Sequence, residues 1–356
     1  MLLRRVHLIL LPLVAAALAP AAPAEAATIG FAAPLSGFAE PLGRQMEAGV
    51  RLAAGDHALV ATDTGCSGEG GTAAARELAA NKVAIVVGFL CTEALEAALP
   101  VLTAAGIPVI TPGVRTDALT DRRDKTGWLI WRTAPRGDAE REAAGRIIPD
   151  RWRKDFFAII DDGTIAAREL AETVRLQAEL ARLNPVFVDT FRPQLPNQIA
   201  LAGRLKRAGA THVFAGGDRR DIAILARDLA GLDAAMTIAG GEALVRDVSD
   251  IPLPAGTLAI AVPDANNALP EALRSDLASA NVTPEGYVAP GYMAASIAIR
   301  ALGETTPDSA AAWHERLDGK TFETPAGSLT FDAKGDRATN PYQLLRFDGE
   351  TWEPAG

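Results

Sequence analysis

The residues with useful chemistry stand in short loops that follow apolar, β-branched runs. The loop 34–37 carries Ser36, the loop 89–92 carries Cys91 and Thr92, and the loop 112–115 carries Val114 and Arg115. Further along come Asp161 and Asp162, then Asp218 in 216–219, then Glu242 after Gly240 and Gly241. The first group offers hydroxyls, backbone donors and a cation, whereas the second is rich in acids. A zwitterion suits such a division, with its carboxylate on the Arg115 side and its ammonium on the Glu242 side. Each residue also has a plainer use. Ser36, Thr92 and Asp218 are good N-cap types, and Arg115 paired with Glu242 or Asp218 would latch two halves of the chain together.

Covalent and metal chemistry find no motif to rest on. GxSxG, HExxH, a Walker loop and the dinucleotide fingerprint are all missing, and the glycine-rich run Gly65–Gly71 lacks the spacing of any phosphate cradle. His57, His212 and His314 are far apart without metal-ligand spacing, His57 and His212 at strand starts read as capping or packing residues, and Asp161-Asp162 reads as a surface turn that is solvated or caps the next helix. No cofactor, no metal and no enzymatic step are therefore expected.

Loops of this kind need strands behind them. Strand candidates are 28–33, 58–63, 83–88 and 108–111, alternating with helix candidates 43–54, 71–81 and 93–104. A stretch at 121–137 carries Trp128 and Trp131 without helical period and reads as a connector. The βα rhythm resumes with strands at 156–160, 186–190, 212–215 and 236–239 and helices at 165–183, 198–208 and 221–229. A strand at 257–262 precedes a Pro/Asn-rich break at 263–268, helices near 268–280 and 287–302, and short strands at 328–331 and 343–347. This is an α/β pattern of two similar lobes, each a mostly parallel sheet flanked by helices. In such sheets ligands gather beyond the carboxyl ends of the strands, where the loops above lie. The break reads as a return crossing, because the chain beyond it holds too few strands for a third sheet.

Composition agrees. The 356 residues are 49% hydrophobic and carry a net charge of −9, which excludes disorder and argues against a nucleic-acid partner. Residues 1–26 read as a cleaved export signal: Arg4 and Arg5, an apolar run from Val6 to Leu18, then Ala24-Glu25-Ala26. The mature protein is expected in the periplasm of a Gram-negative bacterium. In that oxidising compartment Cys66 and Cys91 are expected to join; two buried free thiols are the alternative, and a metal site lacks a ligand set.

Several segments resemble the type I periplasmic binding proteins that serve leucine, isoleucine and valine transport by ABC importers. They are Ile29–Gly37, Val86–Cys91, Gly106–Gly113, Arg132–Ala134 and Phe331–Asp336, in order and over nearly the whole chain. The resemblance implies a two-lobed type I periplasmic-binding-protein fold with three hinge crossings, dividing the chain into 27–133 plus 264–331 and 134–263 plus 332–356. It also implies a disulfide at Cys66 and Cys91. Thr92 stands where the family places a hydroxyl on the ligand, Glu242 where a carboxylate meets the ligand ammonium, Val114 where a backbone group meets the carboxylate, and Tyr287 where a tyrosine lines the cleft. Other positions depart: Arg115 replaces a Thr or Ser, Ala166 and Asp218 replace tyrosines, and Leu42 replaces a larger side chain. With Ser36 and Cys91 these ten positions are the candidate ligand-binding set. The expected role is the periplasmic substrate-binding component of an ABC importer, a monomer that captures a small carboxylated solute and presents it to an inner-membrane permease. A ligand sensor that signals to a membrane receptor is the alternative.

Overall fold

The computed structural model describes residues 27–246 and 249–355; the expected export segment lies outside the described residues. Five parallel strands form the first sheet: β1 (Ile29–Ala33), β2 (Leu59–Asp63), β3 (Ile85–Gly88), β4 (Val109–Thr111) and β5 (Ile130–Arg132), in the order β2-β1-β3-β4-β5. Its residues alternate between two cores, as a sheet covered on both faces requires. Ile29, Phe31, Ile85, Val87, Ile110 and Trp131 face one cluster, while Val86, Val109 and Ile130 face the other.

Helices α1 (Glu40–Ala54), α2 (Gly68–Ala80) and α3 (Thr92–Ala104) follow the first three strands. The short α4 (Ala118–Asp121) and α5 (Arg123–Thr126) lie between β4 and β5. Thus the stretch 121–137, expected to be a plain connector, contains both α5 and the fifth strand. Three residues are too few to show a period of two, which is why the strand is hard to see in sequence.

The second sheet contains β6 (Phe157–Asp161), β7 (Phe187–Thr190), β8 (His212–Gly216), β9 (Thr237–Gly240) and β10 (Leu258–Ala261), all parallel. Its helices are α6 (Ala139–Arg151), α7 (Ile165–Leu180), α8 (Ile199–Arg207), α9 (Arg219–Gly231) and the one-turn α10 (Ala243–Arg246). Helix α6 escapes the sequence reading because its buried face is mostly small, Ala139, Ala143, Ala144 and Gly145 followed by Ile148 and Pro149, with little apolar contrast. Those small residues let it lie close to α7, where a Cβ on Gly145 would press on Thr173 and Gln177.

After β10 the chain leaves this sheet. A 3-10 turn (Ala265–Ala268) and α11 (Glu271–Ser279) lead to α12 (Val288–Leu302), which packs on α1 beneath the first sheet. The crossing of α1 and α12 is so close that a Cβ on Gly49 would collide with the Val288 carbonyl, and one on Gly291 with that of Met46. Helix α13 (Ala310–Leu317), anchored by Trp313 and Leu317, and the hairpin β11 (Thr321–Thr324) and β12 (Gly327–Thr330) complete this core. The sequence reading misses α13 because two apolar anchors one turn apart do not establish a period. The chain then returns through 331–337 to the second sheet, adding β13 (Gln343–Phe347) antiparallel to β10 and β14 (Trp352–Pro354) antiparallel to β13. The order there is β14-β13-β10-β9-β8-β6-β7. No helix among the described residues is long and apolar enough to cross a membrane.

A buried ion-pair network ties the passage after β5 to the one after β12. Arg132 and Asp336 have side chains only 1% exposed; Arg132 Nε donates to Asp336 Oδ1 at 2.8 Å. Asp336 Oδ2 accepts from Thr120 Oγ1 at 2.8 Å and from Arg136 Nη1 at 2.7 Å. Arg132 Nη1 also donates to the Thr116 carbonyl at 2.9 Å, which connects this knot to the loop bearing Arg115.

Candidate functional site

The first sheet's loops are shaped by tight backbone geometry at the strand ends. Gly43 in the first turns of α1 is needed for close approach, since a Cβ there would collide with the Pro34 carbonyl. At the end of β3 the backbone turns through positive φ at Gly88 and again at Phe89, whose φ is 64°. Phe89 is fully buried, so packing holds a conformation that its type disfavours. The turn delivers Cys91 to the N-cap of α3, where it is bonded to Cys66 across a Cα–Cα distance of 5.3 Å. The expected disulfide is thus present and joins the loop after β2 to the loop after β3. It closes a separation of 25 residues, for which chain entropy suggests about 3 kcal/mol of stabilisation. Reduction with a thiol followed by alkylation should lower the midpoint of urea unfolding accordingly, and an unchanged midpoint would contradict this.

Thr92 is the first residue of α3, and its Oγ1 lies 2.8 Å from Thr116 Oγ1. Val114 is 1% exposed, and its N–H donates to Thr111 Oγ1 at 3.3 Å. Beside it, Arg115 reaches across to the second sheet. Its Nη1 donates to Glu242 Oε2 at 2.7 Å, its Nη2 lies 3.4 Å from Glu242 Oε1, and Nη1 also donates to the Tyr342 hydroxyl at 2.8 Å.

The second sheet's acids divide sharply by task. Asp161 accepts from the Gly163 N–H and the Thr190 hydroxyl, Asp162 from the N–H and hydroxyl of Thr164, and Asp218 caps α9 through the Asp221 N–H. These three fold their own turns. Glu242 instead faces the first sheet's loops, with its side chain 8% exposed. Its Oε2 also accepts from the Tyr342 hydroxyl at 2.8 Å, and its Oε1 from Arg246 Nε at 2.7 Å. Its N–H donates to Glu140 Oε1 at 2.6 Å. Gly241 makes that contact possible, since a Cβ there would strike the Glu140 carboxylate.

The charges respond to burial and to one another. Burial works against the Glu242 carboxylate, but Arg115 and Arg246 outweigh it and hold the pKa below the usual Glu value. Burial also opposes charge on Arg115, and Glu242 overcomes it to raise the guanidinium above its ordinary value. Tyr342 is pushed up by burial and by Glu242, so its hydroxyl stays protonated and donates. Glu140 is pushed up by burial, which outweighs the opposing hydrogen bond from the Glu242 N–H; the Glu242 charge acts in the same direction as burial. A carboxylate raised on folding costs stability as pH rises above its unfolded value near 4.5. Glu140→Gln, which keeps the acceptor for the Glu242 N–H, should therefore raise the melting temperature more at pH 8 than at pH 5. An equal or opposite change at the two pH values would show that Glu140 does not titrate in this way.

Of the candidate set, Arg115 and Glu242 are brought into direct contact. Tyr287, half-buried at the N-cap of α12, lies close enough to act electrostatically on Arg115. Ser36, Leu42 and Ala166 are exposed and make no hydrogen bond to the cluster among the described contacts. Tyr342, Glu140, Thr116 and Arg246 are not expected from sequence. Only Arg246 has a signal there, its spacing of one helical turn from Glu242.

The profile of the family described as periplasmic binding protein matches residues 26–351. The chain belongs to this family. Among curated relatives, the leucine-, isoleucine-, valine-, threonine- and alanine-binding protein of Pseudomonas aeruginosa is 28% identical over 303 residues, covering 82% of this chain and 77% of the relative. Among solved structures, a substrate-binding protein of an ABC transporter from Desulfitobacterium hafniense, in complex with Leu, superposes with a TM-score of 0.65 at 19% identity, covering 93% of this chain and all of the other. A solute-binding protein of an ABC transporter from R. palustris, in complex with 4-hydroxybenzoate, gives 0.65 at 16% identity over 93% of this chain and 96% of the other. The expected fold and the resemblance to the Leu/Ile/Val-binding proteins are borne out, and the family is one of periplasmic binding proteins.

Proposed function

We propose that this protein is the periplasmic substrate-binding component of an ABC importer and captures a small carboxylated solute between two lobes, 27–133 plus 264–331 and 134–263 plus 332–356. The observation that carries the reading is the Arg115–Glu242 pair, which joins the carboxyl-end loops of two separate sheets. Ligands gather at such ends, and a charged pair contributed by both sheets recognises a solute only when they come together. Hinges at 133–135, 262–264 and 331–334 would let the lobes part. The curated relative at 28% identity supports a carboxylated ligand, and the fold itself leaves the rest to the side chains, since one neighbour holds leucine and another 4-hydroxybenzoate. Thr92, Val114, Arg115, Glu242 and Tyr287 are the residues assigned to the site, with Ser36, Leu42, Cys91, Ala166 and Asp218 at its margins. The protein would act as a monomer, delivered by a cleaved export signal, and hand its ligand to an inner-membrane permease.

A thermal-shift screen of amino acids, 2-oxo acids, aromatic acids and dicarboxylates, followed by small-angle scattering, tests this. A true ligand at 100 times its dissociation constant stabilises by about 2.7 kcal/mol. The same ligand should fix a single compact form in scattering. If no solute in any class stabilises or compacts the protein, capture between lobes is contradicted.

A further inference from the structure

Glu242 has no acceptor to spare. A carboxylate offers about four lone-pair sites, and here Oε1 meets Arg246 Nε and Arg115 Nη2 while Oε2 meets Arg115 Nη1 and the Tyr342 hydroxyl. An incoming ammonium would have to expel a guanidinium or the tyrosine from a carboxylate that is 8% exposed. Asp161, Asp162 and Asp218 each hold the backbone of their own turn, and none of them bonds Arg115, Glu242 or Tyr342 among the described residues.

Arg115 presents the opposite case. Nη1 spends both hydrogens on Glu242 and Tyr342, and Nη2 spends one on Glu242. The Nε–H and the second Nη2–H have no partner among the described residues, and the side chain keeps 29% exposure. Those two hydrogens run parallel along one edge of the planar group, the fork that a carboxylate grips with both oxygens.

We propose that the site selects a small monocarboxylate that lacks an α-amino group, such as a 2-oxo acid or an aromatic acid, and seats its carboxylate on the free Nε/Nη2 edge of Arg115. The inference rests on the capture reading above and narrows its ligand class. Two guanidiniums, from Arg115 and Arg246, meet the single Glu242 carboxylate. A monoanion needs only the free edge of Arg115, whereas the ammonium of a zwitterion needs an acceptor that Glu242 has already given to Arg115, Arg246 and Tyr342. Tyr342 acts as a positioning residue: its hydroxyl bonds both Arg115 and Glu242 and so holds the free edge in place.

Calorimetric titration of the mature protein with matched pairs tests the proposal: leucine against 4-methyl-2-oxopentanoate, phenylalanine against phenylpyruvate, and alanine against pyruvate. In the pair whose side chain fits, the oxo acid should bind at least tenfold more tightly, and Arg115→Lys, which keeps the charge but loses the fork, should erase most of that affinity. Tyr342→Phe should weaken the oxo acid while leaving the melting temperature of the free protein within a few degrees of wild type. An amino acid that binds as tightly as its oxo acid, or more tightly, overturns the proposal. Benzoate and 4-hydroxybenzoate are titrated beside the pairs; if neither they nor any oxo acid binds while another solute compacts the protein, the proposal is overturned and capture between lobes stands. If no solute compacts the protein, both fall.

Discussion

Arg115→Ala is expected to weaken binding of the carboxylated ligand by about 2–5 kcal/mol, from thirty-fold to several thousand-fold in Kd. The loss has two parts. The ligand carboxylate forfeits a charge-assisted donor, and Glu242 forfeits the partner that holds it between the two sheets. Glu242 keeps Arg246 and Tyr342 after the substitution, so the fold itself should survive. Calorimetry on the variant, with far-ultraviolet circular dichroism as a folding control, measures this directly. Near-wild-type affinity in a folded Arg115→Ala protein would show that the ligand is read by other groups.

Asp336→Ala should have the largest effect on stability, about 3–5 kcal/mol, because it strands Arg132 in the interior without its counter-charge. Arg132 is 1% exposed, and Asp336 also collects Thr120 and Arg136. Removing it loosens two of the three chain passages between the sheets at once. Equilibrium urea unfolding should show a marked fall in midpoint, and the variant should bind ligand more weakly than its unfolded fraction alone explains, since Arg132 also holds the carbonyl of Thr116 beside Arg115. A loss under 1 kcal/mol would mean that the network adds little beyond what water would supply.

Where the sequence is legible, the reason is periodicity on covered sheets. The runs 28–33, 212–215 and 343–347 show clear strand patterns, and β1 (Ile29–Ala33), β8 (His212–Gly216) and β13 (Gln343–Phe347) lie there. Helix α6 is invisible because alanine and glycine bury as well as leucine when two helices lie close, yet leave no amphipathic trace. The site shows the same split. Arg115 and Glu242 can be named because each stands in the loop that follows a strand of its own sheet, where an α/β protein meets ligands. Tyr342 lies 100 positions from Glu242, and no local pattern announces that β13 will run antiparallel beside β10 and place its preceding residue at the site. Asp161, Asp162 and Asp218 qualify as site acids by type and position. Only the hydrogen-bond geometry shows that they are occupied with their own turns.

The most direct measurement is a crystal structure of the protein with the solute that stabilises it most in the screen. The account predicts density for the ligand between the loops after β4 and β9, with its carboxylate within hydrogen-bond reach of the Arg115 guanidinium and both sheets contributing contacts. A ligand bound to one sheet alone, or one whose carboxylate points away from Arg115, would contradict it.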